Sequence, residues 1–459
     1  MEPVHALSIV EIGKKIRSGE LSPVAVVEDC LSRIEHLDPA IHAWVHVEGV
    51  EALKIAAVLA AEARGGKIRG PLHGIPVGLK DIIHVAGMKT TAGAGEFAHE
   101  CPQTDSAVAA RLRRAGAVIL GKTATTEFAY ADPTTTRNPW NLEHTPGGSS
   151  SGSAAAVAAG MIPLAIGSQT GGSTIRPAGY CGVVGLKPTR GRISTAGIIP
   201  VSPSLDHVGI LTRRVEDAAC ALSMLAGYDP EDGCSAHVPT TDYLSSIDRL
   251  EQPPRFGVPI ALFRDAANSE VITHTETVIS TLRDAGATVD EVQLPHSAGA
   301  IREATTLVMR VEGATFHADR FARYADLYRP KMRAFIEAGL AVPATQYVRA
   351  QQTRRQFKSE VGSLLDEFDA FLMPVAPTPA PAGLTSTGDS AFCVPWSAAG
   401  FPAIALPSGV SATGLPLAIQ LVAAEFHEDR LLVVAYWCQK ILDFSARPPE
   451  PGFSRARPS

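Results

Sequence analysis

Apolar residues follow the helical period in the first part of the chain. Ser8 with Glu11 in the same turn is typical of a helix N-terminus, because the serine caps the first turn while the glutamate bonds back to it. Apolar positions then recur at helical spacing within residues 25–34 and 50–61. The pattern predicts a helical N-terminal part over residues 1–65.

Further along, short apolar runs of strand length alternate with helical segments. Strands are predicted over residues 75–79, 117–120, 162–166, 371–375, 403–406 and 418–422, and helices over 106–115, 154–159 and 429–442. This alternation favours an α/β fold, with a large mixed β-sheet covered by helices on both faces. Residues 70–220 hold the main glycine-rich stretches and are the predicted catalytic core.

Two later segments have a different character. Residues 290–360 are predicted to be a helical region on the substrate side, with aromatic and basic side chains mixed. Residues 446–459 are rich in proline and arginine, which predicts a frayed tail. Without an internal repeat, a chain of 459 residues can form a single domain over 1–459.

Composition narrows the class of protein. Hydrophobic residues make up 45% and charged residues 19% of the chain, as in a well-folded globular protein. A net charge of −6 without a basic stripe argues against nucleic acid as a partner. Seven cysteines with no C-x-x-C pair suit a reducing compartment. With no secretory signal and no apolar run long enough for a bilayer, we expect a cytoplasmic protein without membrane contact.

Three short motifs match known patterns but lack the structural context that those patterns need. Residues 116–123 match the Walker A expression, yet the residues between the glycines are an apolar strand and not a phosphate-binding loop. Residues 148–152 match the nucleophile elbow G-x-S-x-G, but residues 138–146 before it contain two prolines and no strand. His42 and His46 lack the glutamate and third ligand of a metalloprotease.

Two serines in glycine-rich stretches and one upstream lysine are the strongest chemical signal. Ser149 lies in the stretch 147–153, Ser173 lies in the stretch 167–177, and Lys80 follows a short apolar run. Serine and glycine together are most often a linker. These stretches instead lead into apolar helices and strands, which indicates backbone amides exposed to a ligand.

The order of Lys80, Ser149 and Ser173 resembles the amidase signature family of hydrolases. The similarity runs over residues 7–442 and includes the segments 121–129, 181–189, 400–407 and 414–417. It implies the amidase signature fold and hydrolysis of an acyl group carried on nitrogen, with no cofactor and no metal.

By this resemblance Ser173 is the nucleophile, Lys80 is the base, and Ser149, at a cis peptide bond, relays the proton. A serine hydroxyl is a poor nucleophile until a neighbour removes its proton. Lysine can do this only when its site removes water and lowers its pKa. The implied oxyanion hole consists of the amides of Thr170, Gly171, Gly172 and Ser173.

The chain departs from the commonest family pattern at Ala124, Ser151, Gln169 and Arg176. Gln169 stands where the glutamine-using members usually have aspartate, and Arg176 lies three residues after the nucleophile instead of two. These changes resemble the branch that acts on small or aryl amides and carbamates, including urethane-cleaving hydrolases. The expected partner is therefore a small-molecule amide or carbamate, bound by a monomer or homodimer.

Candidate residues of the substrate pocket are mostly aromatic and are spread along the chain. They are Phe128, Tyr130, Trp140, Gln169, Arg176, Tyr324, Trp396 and Phe401. For each aromatic residue the alternative is a plain core position. Arg176 could bind a substrate carboxylate or stabilise its own loop.

Two other functions stay open. The chain could be the glutamine-hydrolysing subunit of a tRNA-dependent amidotransferase, which delivers ammonia to a partner, although Gln169 and Arg176 oppose this. It could also be an esterase that uses Ser150, with His207 or another later histidine completing a triad. A binding protein without activity would make Lys80, Ser149 and Ser173 a coincidence.

Overall fold

One mixed sheet runs through the molecule, which is described over residues 3–450 by a computed structural model. Its strands are β1 Trp44–Val47, β2 Pro76–Lys80, β3 Val118–Thr123, β4 Leu164–Gln169, β5 Val184–Lys187, β6 His207–Thr212, β7 Arg255–Val258, β8 Thr288–Glu291, β9 Ala370–Pro374, β10 Ala403–Val410 and β11 Pro416–Val422.

Helices cover this sheet. The α-helices are α1 Ile9–Ser18, α2 Pro23–Ile41, α3 Gly49–Arg64, α4 Ala107–Arg114, α5 Ser151–Ala158, α6 Ile175–Cys181, α7 Val215–Leu225, α8 Ser269–Asp284, α9 Ile301–Tyr324, α10 Pro330–Leu340, α11 Ala344–Leu365, α12 Val394–Ala399 and α13 Glu428–Leu442. Helices α6 and α13 pack on β10, and α7 packs on β6. The predicted α/β fold, a mixed sheet with helices, is confirmed.

Strand order brings the ends of two parallel strands together. The order is β1-β3-β2-β4-β6-β5-β10-β11-β9-β7-β8, and β2 pairs in parallel with both β3 and β4. Lys80 is the last residue of β2, while Ser168 and Gln169 end β4. Carboxyl ends of neighbouring parallel strands meet at one edge of a sheet, where open α/β folds bind their ligands.

Local signals predicted the element starts well. Ser8 and Glu11 form the predicted capping box, with the Ser8 hydroxyl accepting from the Glu11 amide and the Glu11 carboxylate accepting from the Ser8 amide. Every strand predicted from an apolar run falls on an observed strand. The strands are longer than the apolar runs: β3 continues to Thr123 and β4 to Gln169, because their last polar side chains are buried too.

The Walker-like segment is part of this sheet. Gly121 pairs with Val47, and the Lys122 ammonium is fully buried, 3.2 Å from the Asp81 carboxylate and 2.8 Å from the Thr90 hydroxyl. The lysine is thus committed to an internal ion pair, as expected for a strand and not for a phosphate loop. A buried charge of this kind is tolerated only while its partner is present.

The end of the described chain has neither helix nor strand. The Glu450 carboxylate lies 3.2 Å from Arg33, and the part of the predicted frayed tail beyond residue 450 lies outside the described residues. Within residues 3–450, no helix has the length and apolar character needed to cross a bilayer. The seven cysteines are all free thiols.

The buried Asp81–Lys122 pair predicts that removing its carboxylate lowers the free energy of unfolding far more than removing an exposed carboxylate does. Asp81→Asn leaves the Lys122 ammonium uncompensated and should lower the free energy of unfolding by about 3–5 kcal/mol, as measured by urea unfolding followed by circular dichroism. Adding Lys122→Met to Asp81→Asn should recover part of this loss. The matched control is Glu51→Gln, which breaks the exposed pair with Lys54.

If Asp81→Asn and Glu51→Gln were equally mild, the Asp81–Lys122 pair would not carry the charge balance of this part of the sheet.

Candidate active site

Lys80 enters the site from the end of β2 with two hydroxyl partners. Its side-chain nitrogen lies 2.6 Å from Ser149 Oγ and 2.8 Å from Ser168 Oγ. Both Lys80 and Ser149 are buried, with 0% and 1% of their surface exposed. The structure therefore joins the predicted base to the predicted relay directly, and adds Ser168 as a second contact.

Burial sets the protonation of this lysine. Removal from water lowers the pKa of Lys80 well below that of a free lysine, and the negative charge of Asp206 opposes this only in part. Burial also raises the pKa of Asp206 to about 6, while hydrogen bonds from Thr170, Ser202 and Val201 hold it down. Neutral lysine carries the lone pair that a base needs.

The two serine loops are tied to each other through the backbone. The peptide bond between Gly148 and Ser149 is cis, as the resemblance predicts. The Ser150 amide donates to the Ser173 carbonyl over 3.2 Å. No hydrogen bond joins the Ser149 and Ser173 hydroxyls among the described residues, and such contacts often tighten only when substrate is bound. Ser173 is half-buried, so its hydroxyl is the one within reach of a ligand.

Two peptide planes of the nucleophile loop are fixed through their carbonyls. Ser397 Oγ donates to the Gly171 carbonyl over 2.6 Å, and the Arg176 amide donates to the Gly172 carbonyl over 2.9 Å. In a trans peptide the N–H points away from the C=O, so the amides of Gly172 and Ser173 face the other side. No described residue accepts a hydrogen bond from those two amides. They are available to bind an oxyanion.

Gln169 fastens the same loop. Its side-chain oxygen accepts from the amides of Thr174 and Ile175 over 2.8 and 2.9 Å, at the start of α6. Its nitrogen donates to Ser397 Oγ over 2.9 Å. Both ends of the amide are therefore occupied within the protein. The predicted contact of Gln169 with substrate stays a prediction. Its hydrogen bonds position the loop that carries Ser173.

Arg176 is a buried link between three chain segments. Its guanidinium donates to the carbonyl of Gly148 over 2.6 Å, to the carbonyl of Gly388 over 2.8 Å and to the Thr387 hydroxyl over 3.1 Å. The Gly148 carbonyl belongs to the peptide that precedes Ser149. Of the two roles predicted for Arg176, these contacts are those of loop stabilisation.

The predicted pocket aromatics lie at different depths. Phe128, Trp396 and Phe401 are at most 2% exposed, and Trp396 donates through Nε1 to the Met373 sulfur. Tyr130 is half-buried, with its ring 4.0 Å from that of Phe335.

Two further aromatics lie nearer the surface. Trp140 donates to the Cys181 carbonyl, and Tyr324 is 42% exposed beside Phe97. Their assignment to the pocket stays a prediction, as it does for the buried aromatics.

The residues of the elbow-like and histidine motifs are hydrogen-bonded within the protein. Ser150 is fully buried, and its hydroxyl donates to the carbonyl and accepts from the amide of Ser168. His207 is bonded through Nδ1 to the Gln169 carbonyl. His46 lies 2.6 Å from Glu48, and no group of three or more metal-ligating side chains occurs within residues 3–450.

Sequence reasoning missed Ser168 and Asp206. Ser168 was visible inside the second glycine-rich stretch, but nothing in the sequence told that β4 continues through it and aligns it with Lys80. Asp206 precedes β6, and its carboxylate accepts from the Thr170 hydroxyl over 2.5 Å. A buried carboxylate beside a glycine-rich loop has no signature in a single sequence.

The Arg176 contacts predict a graded loss of stability. Arg176→Ala leaves the buried Gly148 carbonyl, the partly buried Gly388 carbonyl and the Thr387 hydroxyl without their donor, which should lower the free energy of unfolding by about 3 kcal/mol. Arg176→Lys keeps one donor and should lose less. Urea unfolding measures both, and an Arg176→Ala protein as stable as the unchanged one would contradict this role.

Comparison with known proteins agrees with this geometry. A family model described as Amidase matches residues 25–432. A glutamyl-tRNA(Gln) amidotransferase subunit of Chloroflexus aggregans is 36% identical over 485 aligned residues, covering 98% of this chain and 99% of the relative.

Solved structures are similar over nearly the whole length. One such structure is a chain of a vestigial protein complex that reveals the evolutionary origins of an s-triazine catabolic enzyme. It superposes with a TM-score of 0.90 and 31% identity, over 96% of this chain and 100% of the chain in the complex. Native peptide amidase from Stenotrophomonas maltophilia superposes with a TM-score of 0.84 and 31% identity, over 97% and 98%. The chain is thus a serine hydrolase of the amidase signature family.

Proposed function

We propose that this protein is a free-standing hydrolase that cleaves the C–N bond of a small or aryl amide or carbamate. The observation that carries the proposal is the buried Lys80 nitrogen 2.6 Å from Ser149 Oγ, with a lowered pKa. A neutral amine in contact with a serine hydroxyl can accept a proton through that hydroxyl, so the amine acts as the base and the serine as the proton relay.

In the first step Ser173 Oγ attacks the carbonyl carbon, and its proton passes through Ser149 to Lys80. The oxygen that becomes negative is held by the free amides of Gly172 and Ser173, and one such donor contributes roughly 10²–10³ in rate. The C–N bond then breaks as the proton returns through Ser149 to the nitrogen. Water releases the acyl group from Ser173 by the same path.

The main alternative is the glutamine-hydrolysing subunit of an amidotransferase. It is favoured by the 36% identity to a relative of that name. Against it stands Gln169, which occupies the usual aspartate position of glutamine-using members and has both ends of its amide bound within the protein. The free-standing hydrolase is therefore preferred.

The decisive experiment compares three substrates. The anilide and the ethyl carbamate of 4-nitroaniline release the same coloured amine, and glutamine releases ammonia. We expect amine release from the first two, with their ratio naming the preferred class, and little ammonia. Ammonia from glutamine with no amine from the others would favour the amidotransferase subunit.

Side-chain variants test the assigned roles. Ser173→Ala and Lys80→Ala should each lower kcat on the anilide by up to about 10⁶, because residues that act as a unit fail together. Ser150→Ala is the comparison variant: it removes two hydrogen bonds to the Ser168 backbone and should lower kcat only indirectly and far less than the other two. An active Ser173→Ala protein with an inactive Ser150→Ala protein would support the esterase hypothesis instead.

The pH profile tests the base. Because the neutral form of Lys80 is the active one and its pKa is lowered, kcat/KM should rise with pH and level off well below the range of a free lysine, about 10.4. Asp206→Asn removes the charge that favours the ammonium form, so it should move the rising limb to lower pH. A rate that is flat with pH, or a limb that Asp206→Asn moves upward, would contradict this assignment.

A further inference from the structure

A cavity of about 240 Å³ lies beside the buried lysine. It is lined by Ile82, Ser168, Asp206 and His207 and by parts of the segments 195–203 and 231–234. We call it the Ser168 pocket. Its volume is below the roughly 300–1,000 Å³ of sites for drug-sized ligands, so it fits one ring or a short chain.

The Ser168 pocket adjoins the catalytic hydrogen bonds through Ser168. Ser168 Oγ is 2.8 Å from the Lys80 nitrogen, which is 2.6 Å from Ser149 Oγ. Asp206, on the same wall, accepts from the Thr170 hydroxyl over 2.5 Å. The row Ser149, Lys80, Ser168 therefore leads from the proton relay to the pocket.

This row has a consequence for the substrate. The departing nitrogen takes its proton from Ser149, so it must lie next to that hydroxyl. A group carried by that nitrogen would then extend from Ser149 past Lys80 towards Ser168, the residue at which the pocket begins. A leaving ammonia would need no such space.

The walls of the pocket disfavour a negatively charged group. Seven apolar side chains contribute, namely Ile82, Ala196, Ile198, Ile199, Pro200, Val201 and Pro203. Asp206, Glu231 and Asp232 add carboxylates, and none of the described residues that line the pocket is lysine or arginine. The guanidinium of Arg190 reaches the wall, where it is bonded to the Cys234 sulfur and the Pro203 carbonyl. An anionic group would lose its water and meet charges of its own sign.

Hydrogen bonds hold these walls in place. The Asp232 carboxylate accepts from the Thr195 amide over 2.7 Å and from the Thr195 hydroxyl over 3.0 Å. The Glu312 carboxylate of α9 accepts from the Ser202 hydroxyl over 2.5 Å and from the Ser204 amide over 3.0 Å. The pocket is thus preformed, which lowers the cost of ordering a ligand.

We propose that the Ser168 pocket binds the amine side of the substrate, and that it selects a small amine without a negative charge, such as aniline. The proposal rests on the proposed function. It makes the leaving group, and not only the acyl group, a determinant of specificity.

Cys234 offers a way to fill the pocket reversibly. It lines the pocket and is half-buried, whereas Cys101 is exposed and the other five thiols are buried. In a Cys101→Ser background, benzyl methanethiosulfonate should therefore attach a ring to Cys234, and dithiothreitol should remove it. The matched control is Cys101→Ser with Cys234→Ser.

The measurement compares an anilide with the primary amide of the same acid. Labelling should lower kcat/KM for the anilide at least tenfold and change that for the primary amide less than twofold. Dithiothreitol should restore the anilide activity, and the Cys234→Ser control should be insensitive. Equal loss for both amides, or no loss for either, would overturn the proposal.

A second arm needs no turnover. In Ser173→Ala protein that also carries Cys101→Ser, aniline should slow the labelling of Cys234 at least threefold, and 4-aminobenzoate should not. Absence of protection by aniline, or equal protection by both, overturns the pocket assignment. If aniline protects Cys234 in this variant but the protein with Ser173 intact hydrolyses neither amide, the pocket assignment stands and the proposed function is refuted.

Discussion

The site depends on one constraint: the amine of Lys80 is buried away from solvent, and no carboxylate of the described residues contacts it. Three lysines of the described chain are fully buried: Lys80, Lys122 and Lys187. Lys122 is paired with Asp81, and Lys187 donates to the carbonyls of Pro188 and Phe401.

Within residues 3–450, only hydroxyl groups bond to the Lys80 side-chain nitrogen, at Ser149 and Ser168. A hydroxyl can both give and accept a proton, whereas a carbonyl can only accept a hydrogen bond. Lys187 also has its pKa lowered, to about 7, by burial, but its bonded partners among the described residues are carbonyls. The neighbours of the nitrogen decide what its lone pair can do.

The sheet places Lys80, and polar contacts from distant segments place the rest. Parallel pairing of β2 and β4 brings the lysine to Ser168. Ser397 of α12 holds the Gly171 carbonyl, and Arg176 holds the Gly148 carbonyl. Gly172 must be glycine here, because a Cβ on it would lie 2.6 Å from Ser390 Cβ. The loop between β4 and α6, which carries Ser173, contains no helix or strand. Its position is fixed because other elements donate hydrogen bonds to its carbonyls.

What could be predicted from the sequence follows from this division. Apolar periodicity gave the α/β class and the strands on which Lys80 and Ser168 lie, since burial and spacing are local properties. The motif order predicted the roles of Lys80, Ser149 and Ser173, and the structure brings Lys80 into contact with Ser149. The bonds of Gln169 and Arg176 to residues more than 200 positions away depend on topology and had no local signal. The large aromatics were equally ambiguous, because a ring in a core and a ring in a pocket have the same pattern.

A relative named for an amidotransferase and a peptide amidase both align over nearly the whole chain, so the fold and the order of the elements do not separate them. The acyl transfer itself needs the relay, the base and two free amides, which are fixed by the sheet and by α6 and α12. Most of the wall of the Ser168 pocket comes instead from the segments 195–203 and 231–234, which carry no part of the proposed relay. Changes in those segments can alter the leaving group without moving Lys80, because the Lys80 contacts are made by β4 and by the loop before α5.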